Sequence, residues 1–182
     1  MRTWIFALAL VCIAAAAEAQ LIRTEVLRAT TPLDDAKLNS DAVPDVSITA
    51  GQFQRIFVVR EKHQTDLLQG LERIIAQHKI RNAVILSGIG SVRSIHYHTV
   101  SNRTFPSKTI DVKDPAAPAD ITGMNGYVID GRVHAHVTFA DADRAFGGHL
   151  EPGTEVFTFA IVTLGELQED IDLSRADDKT YR

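Results

Sequence analysis

The stretch Ile129-Asp130-Gly131-Arg132-Val133-His134-Ala135-His136-Val137-Thr138-Phe139-Ala140 decides how this chain is read. Asp-Gly ahead of an alternating run marks a two-residue β-hairpin turn leading into a strand. Side chains of a strand alternate between its faces. Val133, Ala135, Val137 and Phe139 therefore fill one apolar face, and His134 and His136 share the other. The two histidine Cβ atoms stand roughly 6.5–7 Å apart, twice the rise of a strand residue. Imidazoles at that spacing can converge on one metal ion. His149 follows Gly147-Gly148, and glycines let a backbone pass close to a site and turn sharply before the third imidazole. Three histidines with an open fourth position form a ligand-exchanging Zn²⁺ site, not a closed structural one. The competing reading is two half-exposed strand histidines and an unrelated loop histidine, and spacing alone leaves both open.

Working outward, Ile121–Ile129 reads as the strand before the turn, with Gly123 and Gly126 marking bulges or close packing. Residues 101–120, with Pro106, Pro115 and Pro118, read as a long connection. Val92–Val100 alternates as a strand, and Asn82–Ser87 is a short buried strand broken by Ser87-Gly-Ile-Gly-Ser91. Leu67, Leu68, Leu71, Ile74 and Ile75 recur at helical spacing through Gln77, with Thr65 as the expected cap. Phe53–Val59 reads as a strand, and Glu155–Leu164 as the last long one. The tail beyond is rich in acidic residues and is expected to be loose at its end. Strands joined by turns, plus one main helix, predict a single α+β domain with a largely antiparallel sheet. Its expected span is 53–167, between a polar leader over 20–52 and a tail over 168–182.

Arg2, the apolar run Ile5–Ala17 and the small-x-small triplet Ala17-Glu18-Ala19 have the layout of a secretory signal peptide over residues 1–19, cleaved near Ala19-Gln20. The expected destination is the periplasm or the exterior, with no membrane anchor left in the mature chain. Cys12, the only cysteine, lies in that leader behind Val11 rather than a small residue, which disfavours lipid attachment. The mature protein can enter an oxidising space without disulfides, and any metal must be held by nitrogen and oxygen. The net charge of −4, with no dense basic stripe, argues against sequence-independent nucleic-acid binding.

Other candidates are weaker. His96 and His98 repeat the i, i+2 spacing, but no third ligand accompanies them in sequence, so they read as a solvated or interface-facing strand side. His63 and His78 flank the helix, where His78 suits the helix dipole. Ser87-Gly-Ile-Gly-Ser-Val-Arg93 puts Arg93 where a dinucleotide fingerprint needs glycine. No Gly-x-Ser-x-Gly elbow occurs, and Asn102-Arg-Thr104 is a glycosylation sequon of use only in a eukaryote. Asp141, Asp143, Glu151 and Glu155 are the carboxylates near enough in sequence to support the histidines as ligand, orienting partner or base. No residue acquires a catalytic role on these grounds.

Gly131-Arg-Val-His-Ala-His-Val-Thr-Phe-Ala140 followed by Gly147-Gly-His-Leu150 resembles the plants and prokaryotes conserved (PPC) domain, and the resemblance extends over about Phe53–Leu167. It implies a compact α+β domain, usually a homotrimer, whose fold is similar to that of acetolactate decarboxylase. It further implies a divalent metal, Zn²⁺, on His134, His136 and His149. A small molecule at the metal, with lyase or hydrolase chemistry on a small carbonyl compound, is the enzymatic alternative. A non-catalytic trimeric interaction module is the other. Plant members carry AT-hooks for DNA, but no Arg-Gly-Arg-Pro occurs here, and DNA binding is disfavoured. Where the family's last strand often carries a glutamate, this chain has Ile161, so no catalytic acid or base is carried over.

Overall fold

The structure, a computed structural model, describes residues 21–27 and 37–182. The expected signal peptide over 1–19 lies outside them. Nine strands and one helix form among the described residues. In chain order they are β1 (Ile22–Leu27), β2 (Phe53–Lys62), α1 (Leu67–His78), β3 (Ala83–Val92), β4 (Ile95–Val100), β5 (Lys108–Asp114), β6 (Ala119–Ile129), β7 (Arg132–Ala140), β8 (Ala145–Leu150) and β9 (Val156–Leu167). They join one antiparallel sheet in the order β1-β5-β4-β8-β7-β6-β3-β9-β2. The architecture is the α+β domain with an antiparallel sheet and one helix that the hydrophobic pattern dictates.

The decisive hairpin forms as read. Asp130 and Gly131 both adopt positive φ, 48° and 78°, as the tight turn between β6 and β7 requires. Along β7, Ala135, Val137 and Phe139 are buried, while His136 and Thr138 face outward. Helix α1 buries Leu67, Leu68, Leu71 and Ile75 against this core. Its cap is Asp66, one residue beyond the expected Thr65: the Asp66 carboxylate accepts from the Gln69 amide at 3.0 Å. The same carboxylate accepts from the Gly153 amide at 2.6 Å, tying the helix start to the β8–β9 turn. Asn82 links three segments from a buried position. Its amide donates to the Ile171 carbonyl at 2.7 Å, and its oxygen accepts from the Asp130 amide at 3.0 Å.

Four local expectations change. Ser87–Ser91 does not break a strand but runs within β3, where Met124 and the Phe159–Ala160 backbone pass too close for a Cβ at Gly88 or Gly90. The proline-rich connection contains β5, which pairs with β4 on one side and β1 on the other. Strand β1 itself lies in the polar leader, so part of that leader belongs to the sheet. The tail is docked rather than loose: Ile171 is buried and Asp177 reaches β7.

Candidate metal centre

The histidines are brought together by strand register. Residues 141–144 turn the chain, with the Asp141 carboxylate accepting from the Asp143 and Arg144 amides at 2.9 Å each. The returning residues form β8, not a loop, and His149 lies directly opposite His136. His134 sits two residues along the same face of β7. Gly147 and Gly148 make this packing possible by close approach. A Cβ on Gly147 would stand 2.0 Å from the Val137 carbonyl oxygen, and one on Gly148 would stand 2.3 Å from that of His98. The expected sharp turn before His149 is replaced by a straight strand held tightly between two neighbours.

Ligand-capable atoms of His134, His136 and His149 all lie within 4.8 Å of one another, close enough to hold one ion. The His134 and His136 rings are stacked at 5.7 Å, and His149 stands edge-on to them at 4.8 and 5.4 Å. Burial first, and then the neighbouring imidazoles, push the His149 pKa down to about 4. The same causes lower that of His136. Both rings therefore stay neutral near pH 7, the state a metal ligand needs.

A fourth histidine belongs to the cluster, contrary to its reading as a solvated residue. Strand β4 pairs with β8 so that His98 is opposite His149, and the two rings stack at 4.5 Å. His98, His149 and Glu151 make a second group able to hold an ion, with ligand-capable atoms also within 4.8 Å. His96 points elsewhere, its Nδ1 meeting the Pro152 carbonyl at 2.6 Å.

The carboxylates sort by contact. Glu151 Oε1 lies 2.5 Å from His98 Nδ1. Asp141 is used in its own turn, Glu155 pairs with Arg93 at 3.4 Å, and no contact places Asp143 at the histidines. Asp177, which sequence reading missed, lies 3.2 Å from His134 Nδ1 and accepts from Arg132 Nη2 at 3.2 Å to each oxygen. Burial would raise its pKa, but the bonds from Arg132 and His134 prevail and hold it below the usual carboxylate value. An ionised Asp177 fixes a proton on His134 Nδ1 and leaves Nε2 as the donor for a metal.

The cluster opens onto a cavity of about 690 Å³, within the range of small-molecule sites. Its walls come from β4, the 101–107 loop, β5, β7, β8 and the tail.

The model for the Plants and Prokaryotes Conserved (PCC) domain matches residues 48–168. A metal-containing protein from Archaeoglobus fulgidus is structurally similar, with a TM-score of 0.58 and 23% identity, over 68% of this chain and 86% of that one. A plant- and prokaryote-conserved protein from Pyrococcus horikoshii gives a TM-score of 0.56 and 24% identity, over 69% and 87%. These likenesses are of fold. The bifunctional protein GlmU of Synechococcus sp. strain JA-3-3Ab is 29% identical over 116 residues, 63% of this chain but 18% of GlmU. The chain thus spans under a fifth of the curated relatives it matches.

Proposed function

The chain belongs to the Plants and Prokaryotes Conserved domain family, and on that premise we propose that it is an exported metal-binding protein holding Zn²⁺ on His134, His136 and His149. The observation that carries this reading is the convergence of three imidazoles on one mouth of a cavity. An all-nitrogen set of three, with a position left for water or ligand, suits zinc better than calcium or magnesium, which take oxygen. Asp177 supports it as the carboxylate that orients a metal-ligating histidine. Export rests on the Arg2–Ala19 pattern. Among the described residues no helix is long and apolar enough to cross a membrane.

Self-association into a homotrimer is part of the proposal. Val58 (70% exposed), Ile89 (54%) and Phe157 (49%) lie on the open side of β2, β3 and β9, an apolar face that favours a partner over water. Light scattering on the purified protein checks it: three chains per particle are expected, and a monomer contradicts it.

The cavity beside the histidines favours a second, enzymatic reading: metal-assisted lyase or hydrolase chemistry on a small carbonyl compound. A bound ion would supply Lewis acidity to a carbonyl or an acidified water. Both carboxylates at the cluster, Asp177 and Glu151, are engaged by histidines, so the protein's own contribution is to bind, orient and exclude water. The net charge of −4 leaves nucleic acid disfavoured. Metal analysis of protein prepared without a histidine tag tests the main reading, with bound zinc expected and its absence contradicting it.

A further inference from the structure

The tail that closes the histidine cavity lies beyond the residues matched by the family, which end at 168. It bridges the cavity's two rims. On one side Asp177 holds Arg132 and His134 of β7. On the other, Lys179 Nζ lies 3.5 Å from Ser107 Oγ, and the Arg182 guanidinium sits 3.6 Å over the Phe105 ring. The loop it meets is internally braced. The Asn102 amide nitrogen donates to the Thr104 carbonyl at 2.6 Å and the Pro106 carbonyl at 2.9 Å, and its oxygen accepts from the Lys108 amide at 2.9 Å. That nitrogen is the atom a glycan would need, so the sequon's asparagine serves loop structure instead. A braced loop presents Arg103 to the cavity whose lining Lys179 also joins.

The charges in this chamber are lopsided. Its lining contains two cations, Arg103 and Lys179, and one carboxylate, Asp177. That carboxylate is already matched by the Arg132 guanidinium through both oxygens. A divalent ion on neutral imidazoles would add further positive charge. Val100 and Phe105 supply apolar wall, which suits a carbon skeleton. A partly apolar chamber whose lining holds more cations than carboxylates favours ligands of negative charge.

We infer that the tail and the Asn102-braced loop make this cavity a site for a small organic dianion, one carboxylate reaching the histidine-held ion and the other meeting Lys179 and Arg103. The inference rests on the metal-binding reading and specifies the ligand class of that site. Guanidinium and ammonium groups make charge-assisted bonds to a carboxylate that a neutral amide of the same shape does not reproduce. Inorganic phosphate has the charge but cannot span from ion to tail or use the apolar wall.

Cobalt(II) loaded into the tag-free full chain provides the test, because its visible bands move when a ligand enters the coordination shell. Succinate should shift the bands saturably. Succinamide and inorganic phosphate should do so at least about tenfold more weakly, and Lys179→Met and Arg103→Met should each weaken succinate by about tenfold. Both variants should keep the bands of the succinate-free protein, which shows the histidine cluster intact. Bands that succinate does not move, an equal response to succinamide or phosphate, or unaltered succinate binding in both variants overturn the inference. Failure of cobalt to give any bands is a different result and overturns the metal-binding reading beneath it.

Discussion

His136 and His149 face each other as cross-strand partners on β7 and β8, and His98 of β4 faces His149 from the other side. The cluster is thus set by backbone hydrogen-bond register across three neighbouring strands. Its geometry should respond to changes in strand spacing that leave every histidine in place.

Gly148→Ala is such a change. Its Cβ would stand 2.3 Å from the His98 carbonyl oxygen and 2.9 Å from Thr99 Cγ2. Strands β4 and β8 must separate to admit it, at a cost of about 1–3 kcal/mol, as for other overpacked sites. Urea denaturation should show that loss, and zinc affinity should fall in the same variant while far-ultraviolet circular dichroism remains that of the folded protein. Unchanged zinc affinity would mean that this register does not control the site.

Asp177→Asn removes the charge that faces His134 Nδ1 at 3.2 Å. Loss of such an orienting carboxylate lowers metal affinity about 10- to 100-fold in comparable sites. Competition with a chelator reads this directly. Affinity equal to that of the parent protein would reduce the tail to a bystander at the metal centre.

Metal-free protein should lose stability in mild acid through His149. Its pKa is pushed from 6.5 down to about 4 by burial and then by His98, His134 and His136. Between those values the unfolded chain takes the proton and the folded chain does not, so stability falls as pH drops across the window. After discounting for solvent screening of a half-buried ring, the loss is on the order of 2 kcal/mol. The difference between parent and His149→Gln, measured at several pH values in a chelating buffer, isolates it. Parallel curves for the two proteins would contradict the assignment.

Glu61 gives the opposite slope. It is 5% exposed, and among the described residues neither of its carboxylate oxygens has a hydrogen-bond partner. Gly70 of α1 leaves the room it occupies, since a Cβ there would stand 2.5 Å from Glu61 Oε1. Burial, then the charge of Asp66, push its pKa up to about 8, with Arg73 acting against them. The unfolded chain releases this proton near pH 4.5 while the folded chain keeps it, so stability falls as pH rises from about 4.5 to about 8. Glu61→Gln should abolish that decline, and its denaturation midpoint should exceed the parent's by most at the alkaline end of the window. A parent whose decline survives the substitution would place the effect elsewhere.

Legibility in the sequence followed the range of the interaction. Helix α1 and strand β7 were readable because their apolar spacing is local and strong, and the Asp130-Gly131 turn fixed where β7 begins. Strand β8 was not readable: Ala-Phe-Gly-Gly-His-Leu has no β-branched residue, and its glycines serve close neighbours that only the folded sheet supplies. Strand β5 was masked by the flanking prolines, and β1 by a polar leader. His134, His136 and His149 could be grouped because one hairpin joins them. His98 and Asp177 could not, because the contacts that bring them in depend on β4–β8 pairing and on a docked tail. Among the nearby carboxylates, closeness in sequence was a poor guide: Asp141 serves its turn and Glu155 serves Arg93, while Glu151 alone reaches a histidine.

The central claim is tested most directly by the zinc content of tag-free protein and of its His136→Ala variant, measured by elemental mass spectrometry after dialysis. The account predicts about one zinc per chain in the parent, as for a three-histidine site, and little or none in the variant. A parent free of zinc after zinc loading, or a His136→Ala variant that retains it with undiminished affinity, would contradict the account.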